Sequence, residues 1–431
     1  MWLSILIAFF TCALMIASIL FFPKFNIKKQ SFDTYPVIVL LGAVAMLACG
    51  LVSPRTVFSS FIADTAVNPL KILVLFICMT VLSVFLDAVG FFFYVANVVL
   101  HRFGTGQRRL FWTLYITVAI LTVFTSNDII ILTFTPFICY FCKNAKISPL
   151  PYLITEFVAA NSWSMALMIG NPTNIYLASS AEVDFVTYFC VMWLPTLLCG
   201  ILSAGALYLL FFKELKKPME TELSRSHIFM NRPLVAVGLV HLGVCTVLLA
   251  IGGYVGWQMW LISLIAVISL VICVLIVSRI QKKEPAALLT CLHRAPWSLI
   301  PFMLGMFVIV LALNQQGVTA ALGALFSKLP PILSYGVFFS LLCNIMNNIP
   351  MSVLMGSVVS EQGSLGAIYS TIVGSNLGAL LTPIGALAGI MWGSMLKAQG
   401  IRMRYLDFVK NGILVFIPAM LGALLGLYLI L

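Results

Sequence analysis

The sequence predicts an all-α polytopic membrane protein with about ten transmembrane helices and two re-entrant hairpins, arranged as two inverted repeats. Composition is the first reason: 62% of the 431 residues are hydrophobic and 9% are charged, whereas soluble domains carry about 25% charged residues. The second reason is that twelve apolar segments follow one another along the chain. The third is that polar interruptions recur at matching positions in the two halves.

The N-terminal apolar run, residues 2–22, is long enough to cross a bilayer. It lacks a preceding basic region and a small-residue cleavage site. We therefore expect residues 1–35 to form a retained transmembrane helix and a cytoplasmic loop. The first repeat is predicted over 36–212, a cytoplasmic linker with one linking helix over 213–256, and the second repeat over 257–431.

The net charge of +11 resides in the loops. Lysine and arginine concentrate in the loops 24–35, 101–109, 213–232, 279–294 and 397–410. Cytoplasmic loops of membrane proteins are rich in these residues. We therefore expect a bacterial-type cytoplasmic membrane protein with both termini outside, embedded in lipid and with no nucleic-acid partner. The eleven scattered cysteines predict neither a disulfide framework nor a metal site.

The apolar segment 110–142 contains the polar triplet Ser126-Asn127-Asp128. Arginines precede this segment and lysines follow it, so both of its ends are expected on the cytoplasmic side. Division at the triplet gives two arms of roughly 15 residues, each too short to cross a bilayer. We therefore predict a re-entrant hairpin whose tip faces a cavity, because irregular backbone at that depth needs protein or water around it.

A second apolar segment, 330–362, repeats this pattern with Asn347 and Asn348 at its centre and Pro350 after them. Its flanks show no positive bias. The second hairpin is therefore predicted to enter from outside.

Each hairpin is followed by an apolar segment with a polar break, predicted as a broken helix. The first, 149–180, breaks at "GNPTN" (170–174), and the second, 364–396, breaks at "LTPIG" (381–385). Ser164 lies eight residues before Pro172, and Ser375 lies eight before Pro383. Upstream of the hairpins, "DAVG" (87–90) matches "NQQG" (314–317). Inverted repeats with interrupted helices near the midplane are typical of secondary transporters.

The four breaks predict one solute-binding site, because interrupted helices expose backbone donors, acceptors and partial charges. A single proline or asparagine would more simply be a kink or helix–helix contact, but the repeated offsets favour a site. The predicted solute-binding residues are Ser126, Asn127, Asn171, Thr173, Asn174, Asn347, Asn348, Ser375, Asn376, Thr382 and Pro383.

Asp128 and Asp87 are predicted to couple transport to protons or cations, because carboxylates within a membrane are costly and mark ion pathways. The alternative for each is a structural partner for backbone N–H groups or for a buried basic residue. Glu156 is expected one or two turns inside its segment, within reach of the cytoplasmic surface. The sequence has no GxxxxGK[ST] motif, so no ATPase of its own, no enzyme activity and no cofactor are predicted. A proton or sodium gradient would supply the energy.

Several motifs resemble arsenite efflux permeases, a family of the ion-transporter superfamily that also contains sodium/proton antiporters and dicarboxylate transporters. In the second half these are "APWSLIPFMLGMFVIVLALNQQG" (295–317), "NIMNNIP" (344–350) and "GSNLGALLTPIGALAGIMW" (374–392). In the first half they are "FLDAVGFF" (86–93) and "SNDIIILTFTPF" (126–137). The resemblance covers roughly residues 70–431.

This resemblance implies a scaffold domain and a transport domain that moves as an elevator, often in a homodimer. It implies export of arsenite or antimonite in exchange for protons, in some members with a separate ATPase subunit. The binding residues carried over by position are Asn127, Asp128, Asn347, Asn348, Thr382 and Pro383.

The chain departs from the family pattern at Asn376 and Ala88, where the permeases usually carry acids, and at "GNPTN". Substrate, coupling ion and stoichiometry therefore stay open between an arsenite exporter, a sodium/proton antiporter and a dicarboxylate transporter. A channel or a structural membrane protein is disfavoured by the repeated breaks. No Arg or Lys occurs at the breaks, which suits a neutral polyhydroxy solute or a small cation.

Overall fold

The computed structural model describes residues 1–27, 30–64, 68–103, 106–219, 231–362, 364–401 and 403–431. Four basic residues used to predict the orientation lie outside these ranges: Lys28, Lys29, Arg225 and Arg402. Residues 220–230 of the predicted linker also lie outside them.

The described part of the chain is built almost entirely of helices, as predicted. The first half contains α1 Trp2–Phe21, α2 Tyr35–Ala48, α3 Pro54–Ile62, α4 Pro69–Ala88, α5 Phe91–Phe103, α6 Gln107–Phe124, α7 Asn127–Asn144, α8 Leu150–Trp163, α9 Pro172–Ser180 and α10 Phe185–Phe211. The second half contains α11 Arg232–Val255, α12 Met259–Ile280, α13 Ala286–Arg294, α14 Leu299–Gln315, α15 Val318–Phe326, α16 Pro331–Met346, α17 Asn348–Gln362, α18 Leu365–Leu377, α19 Leu387–Ala398 and α20 Tyr405–Ile430.

Short elements connect some of these helices. An antiparallel pair of strands that the sequence did not predict, β1 Lys24–Ile27 and β2 Gln30–Asp33, joins α1 to α2, with Lys24 paired to Asp33. Four 3-10 turns occur at Met168–Gly170, Glu214–Lys216, Gly378–Leu380 and Pro383–Gly385.

Length and hydropathy make seven helical segments of the described chain able to cross a membrane. These are α1, α4, α10, α11, α12, the α13–α14 segment Ala286–Gln315 and α20. In α4, 78% of the apolar window is buried, against 28% in α12. α4 therefore lies at the centre of the bundle and α12 at its periphery. α2, α16, α17 and α18 are also apolar but shorter.

The two halves match element by element, and their packing is reciprocal. α2 packs on α14 while its counterpart α12 packs on α4, and α7 packs on α19 while α17 packs on α9. The order of elements also pairs α1 with α11, two helices that the sequence analysis assigned to separate segments. The structure therefore has a pseudo-two-fold relation between its halves.

The counterparts α10 and α20 pack directly on each other and run antiparallel. Pro195 lies against Gly426, and Leu198 lies against Gly422. A pseudo-two-fold axis that relates two adjacent antiparallel helices must be perpendicular to the helix axes. The halves are therefore inverted with respect to each other.

The hairpin segments divide at their polar residues and open toward opposite faces of the bundle. α6 and α7 meet at Thr125–Ser126, and Gln107 at the start of α6 donates to the carbonyl of Lys217. α16 and α17 meet at Asn347, and Gly336 near the start of α16 packs on Leu424, close to the C-terminus. Which face meets the cytoplasm stays a prediction.

Candidate functional site

Both broken helices separate where polar residues cluster. α8 ends at Trp163 and α9 begins at Pro172, while α18 ends at Leu377 and α19 begins at Leu387. The first break folds back tightly, because a Cβ at Gly170 would lie 2.1 Å from the carbonyl oxygen of Ser164. Glycine is therefore required at this position.

The first break meets the end of α18 through a buried network centred on Asn376. The side-chain oxygen of Asn376 accepts hydrogen bonds from Ser164 Oγ at 2.9 Å and Asn171 Nδ2 at 3.0 Å. Its amide nitrogen donates to Asn174 Oδ1 at 2.6 Å and to the Ile372 carbonyl at 2.8 Å. The side chain is fully buried, and its hydrogen-bonding capacity is fully used.

Two further predicted residues belong to the same network. Ser375 Oγ lies 3.1 Å from Thr173 Oγ1, and the Thr173 backbone N–H donates to Asn171 Oδ1 at 3.2 Å. Asn171, Thr173, Asn174, Ser375 and Asn376 thus come together across the two halves. Their mutual bonds form a polar joint between the broken helices.

The second hairpin is tied to the second break. Asn347 Nδ2 donates to the Ile384 carbonyl at 3.0 Å. Asn344, one turn earlier on α16, accepts from Thr382 Oγ1 at 2.5 Å and donates to the Gly378 carbonyl at 3.0 Å. Sequence reasoning did not identify Asn344, although it belongs to the same "NIMNNIP" motif.

Asn347 adopts φ 74° and ψ 153°, a backbone conformation that is essentially confined to glycine. Such strain persists only where surrounding contacts hold it, and it clusters at binding sites. The hydrogen bond to Ile384 is one such contact.

Asn348 and Ser352 lie one turn apart at the start of α17, buried on one face of the helix. Neither Asn348 Oδ1 nor Ser352 Oγ has a hydrogen-bond partner in the described structure. Buried polar atoms are normally paired. These two oxygens are therefore candidate ligands for a solute.

At the first hairpin tip, Asn127 Nδ2 donates to Asn161 Oδ1 of α8 at 3.2 Å, and its own oxygen accepts from the Asp128 backbone N–H at 2.9 Å. Ser126 is buried at the N-cap of α7 but makes no side-chain cap hydrogen bond. Asp128 lies in the first turn, where the positive end of the helix favours negative charge. Its carboxylate is partly exposed and has no partner among the residues described here.

Asp87 lies apart from these groups, at the last turn of α4. Thr133 Oγ1 of α7 donates to its Oδ1 at 2.7 Å, and Arg294 Nη1 of α13 donates to its Oδ2 at 2.8 Å. The arginine offsets the repulsion between a carboxylate and a helix C-terminus. The coupling role of Asp87 stays a prediction, and these contacts supply the structural alternative.

Pro383 lines a cleft of about 410 Å³ that also contains Trp392, Lys397 and Arg404. The cleft connects the second break with the basic 397–410 loop, which is predicted to be cytoplasmic.

A model of the citrate transporter family, CitMHS, matches residues 34–370. The chain belongs to this family. It is therefore an integral membrane transporter.

Relatives and a solved structure agree with this assignment. The chain is 28% identical over 415 residues to an arsenical pump membrane protein of Escherichia coli, covering 90% of this chain and 92% of that protein. It is 27% identical over 379 residues to that of Yersinia enterocolitica, covering 82% and 85%. The crystal structure of the Alcanivorax borkumensis YdaH transporter matches with a TM-score of 0.60 and 15% identity, covering 99% of this chain and 98% of that chain. The predicted resemblance and fold class are confirmed.

Among the described residues, Glu156 is a further acid within an apolar helix, α8, and it is fully buried rather than near the surface. Thr135 Oγ1 lies 3.1 Å and 3.0 Å from its two carboxyl oxygens. The burial of Glu156 could have been predicted from the sequence of α8, which is apolar on nearly every side of the helix.

Proposed function

We propose that this transporter exports arsenite-type solutes, neutral trihydroxy species of trivalent arsenic or antimony, in exchange for protons. The observation that carries the proposal is the unpaired carboxylate of Asp128 at a hairpin tip otherwise furnished with amides and hydroxyls. A neutral polyhydroxy solute needs hydrogen-bond partners rather than a charged pocket. The names of the arsenical pump relatives support the same solute class.

In the proposed mechanism Asp128 binds a proton on one side of the membrane and releases it on the other. Unpaired charge is costly within the membrane, so the empty carboxylate does not cross. Asp128 crosses in one direction protonated, and in the other as a carboxylate that accepts hydrogen bonds from the hydroxyls of the bound solute. Asn348 Oδ1 and Ser352 Oγ accept hydrogen bonds from the solute hydroxyls. The hairpins and broken helices would move together as an elevator-type transport domain against the remaining helices.

The family name suggests citrate as another substrate, and the charge of the site argues against it. Citrate carries several carboxylates, and such an anion needs positive partners. The four breaks contain no Arg or Lys. The site therefore supports a neutral solute better than a tricarboxylate relying on side-chain charge.

A second candidate is sodium/proton antiport, favoured by the two buried oxygens of Asn348 and Ser352 that have no protein partner in the described chain. Oxygen ligands and a nearby acid suit a hard monovalent cation. In that mechanism Asp128 would exchange the proton for the cation.

The test measures arsenite uptake into everted membrane vesicles made acidic inside, without ATP. A gradient of one pH unit supplies about 1.4 kcal/mol, enough for about tenfold accumulation by one-for-one exchange. Wild-type protein should accumulate arsenite and Asp128→Asn should not. Asp407→Asn, an exposed acid at the start of α20, is the matched control and should behave as wild type.

Absence of gradient-driven uptake by folded wild-type protein would contradict unaided arsenite antiport. Uptake that appears only with ATP and an added partner would instead indicate a separate ATPase subunit. Proton release on addition of sodium to the same vesicles would favour the cation antiporter. A homodimer, implied by the resemblance, is tested separately by the mass of the detergent-solubilised protein.

A further inference from the structure

Glu156 is a fully buried carboxyl group whose hydrogen-bond partner is Thr135. It lies on α8, two turns from the N-terminal end, and its exposed fraction is 0%. Both carboxyl oxygens are within hydrogen-bond distance of Thr135 Oγ1 on α7. A hydroxyl carries a single hydrogen, so it can donate to one of them at a time.

An ionised carboxylate in this environment would be poorly compensated. No ion pair joins Glu156 to a basic residue of the described chain. Burial of an unpaired charge is far more costly than burial of a neutral hydrogen-bonded group. A neutral carboxyl group fits the geometry better, because its own O–H can donate to Thr135 while the threonine donates back.

Polar side chains continue from the N-terminal side of Glu156 to one face of the protein. Tyr152 precedes Glu156 by one turn of α8, a rise of about 6 Å. Its hydroxyl donates to Gln107 Oε1 at 3.0 Å, and Gln107 Nε2 donates to the Lys217 carbonyl at 2.9 Å. Gln107 also lines a surface cleft of about 360 Å³ between the basic segments 106–109 and 215–217.

The same helix pair continues toward the hairpin tip. α7 and α8 run antiparallel, since Thr135 meets Glu156 and Asn127 meets Asn161. Thr135 and Asn127 are eight residues apart, a rise of about 12 Å along α7. Glu156 therefore lies between the surface cleft and the tip that carries Asp128.

We propose that Glu156 is a second proton-binding site of this transporter, loaded from the basic cleft past Tyr152 and Gln107. On loading, one carboxyl oxygen of Glu156 forms an O–H bond with a proton given up by a hydronium ion of the cleft; on release that O–H bond breaks and water takes the proton. This inference deepens the proposed proton coupling and rests on it for its transport role. The occupancy of Glu156 by a proton does not depend on the identity of the solute.

The titratable groups around Glu156 supply no counter-ion. Cys139, one turn beyond Thr135 on α7, is within electrostatic reach of the carboxyl group. Among the other helices packed on α8, α6 carries Tyr115, α10 carries Cys199 and α18 carries Tyr369. α19 and α20 contact Phe157 of α8 through Trp392 and Phe408. The charged residues of these two helices, none of which forms an ion pair with Glu156, are Lys397, Asp407 and Lys410. The turn Gly378–Leu380 has no titratable side chain.

Charged residues occur at the ends of the neighbouring helices that lie nearest the cleft. Arg108 is at the start of α6, and Lys143 is in the last turn of α7. The basic residues Arg108 and Lys143 therefore lie on the cleft side of Glu156, at the ends of α6 and α7.

The first experiment is infrared difference spectroscopy of the purified full-length protein across a pH titration. Wild type should show the C=O band of a protonated carboxyl group that disappears reversibly as pH rises. Glu156→Gln should lack this band, and Thr135→Val should retain it at a shifted frequency. Asp128→Asn should leave it in place. A spectrum identical in wild type and Glu156→Gln, or a band that ignores pH, would overturn the proposal.

The route and the transport role have separate readouts. Tyr152→Phe and Gln107→Leu should slow the deuterium shift of the Glu156 band, and unchanged exchange would overturn the route. With arsenite as the probe, Glu156→Gln should lower the number of protons exchanged per solute by one, measured with a pH-sensitive dye. An unchanged ratio would show that Glu156 is a structural neutral acid.

The two proposals fail in different ways. If wild type does not transport arsenite, the proposed function fails while the infrared titration still reports on Glu156. If Glu156→Gln does not fold, Thr135→Val and Tyr152→Phe test the same site through frequency and exchange rate.

Discussion

The two hairpin tips occupy equivalent positions but differ in backbone and in chemistry. Ser126, before the first tip helix, has a relaxed extended conformation with φ −83° and ψ 139°. Asn347, before the second, is strained at φ 74° and ψ 153°. The first tip carries the acid Asp128, while the corresponding second residue of α17 is Ile349.

The same contrast extends through the membrane layer. Sixteen residues before Pro172 stands Glu156, and sixteen before Pro383 stands Ala367. Asp87 of "DAVG" is matched by Asn314 of "NQQG". The halves thus pack symmetrically but differ in chemistry. At these matched positions the acids belong to the first half, whereas the second half has neutral residues and a strained tip.

The largest expected effect comes from placing an acid in the second half at Asn376. Asn376→Asp removes the donor that serves Asn174 Oδ1 and the Ile372 carbonyl, and sets a buried carboxylate against both oxygens. The cost should be about 3–5 kcal/mol, as for an uncompensated buried charge. Thermal unfolding of the detergent-solubilised protein measures it. A melting temperature equal to that of wild type would show that this half also accepts an acid.

A smaller effect should separate solute binding from coupling. Asn348→Ala removes a buried oxygen that has no protein partner in the described chain. Loss of one hydrogen bond to the solute, about 1 kcal/mol, should weaken the apparent arsenite affinity about fivefold. The proton-to-solute ratio should stay the same, whereas Asp128→Asn should abolish gradient-driven uptake. A changed ratio with unchanged affinity would reverse the assignment of roles.

The strained tip gives a third comparison. Asn347→Gly relieves about 1–3 kcal/mol of backbone strain but loses the hydrogen bond to Ile384, worth about 1 kcal/mol, so the net gain in stability should be about 0–2 kcal/mol. Asn347→Ala keeps the strain and loses the bond, and should be less stable than the glycine variant. Ser126→Gly, at the relaxed tip, should gain nothing. Chemical denaturation of the three variants checks this order, and equal stability of the glycine and alanine variants would argue against strain.

The smallest effect is expected at the ion pair of Asp87. The Arg294 side chain is 60% exposed, so Arg294→Ala should cost less than about 1 kcal/mol of stability. High salt should reduce the difference between the variant and wild type. A loss comparable to that of Asn376→Asp would show that the pair holds α13 and α4 together far more strongly than its exposure implies.

Local chemistry made much of this molecule predictable. Pro172, Asn347 and Asp128 interrupt apolar runs, and such an interruption can be seen directly in the sequence. The positions where α7, α9 and α17 begin follow from those interruptions. The repeated offset between Ser164 and Pro172, and between Ser375 and Pro383, indicated the duplication.

Other features depend on contacts between distant residues. Arg294 meets Asp87 across 207 positions, and Ser164 meets Asn376 across 212. The burial of Glu156 depends on all the helices that surround α8. The pairing of α1 with α11 carries no motif, because both are plain apolar helices.

The antiparallel seam between α10 and α20 has a consequence for how the chain enters its membrane. A Cβ at Gly422 would lie 2.7 Å from the Leu198 carbonyl oxygen, and one at Gly426 would lie 2.6 Å from Pro195 Cα. Each half therefore offers a surface that only the other half, turned upside down, can cover. A half-length chain would need a second copy inserted in the membrane in the opposite orientation. In the full chain, the two halves must insert in opposite orientations before α10 and α20 can pack together.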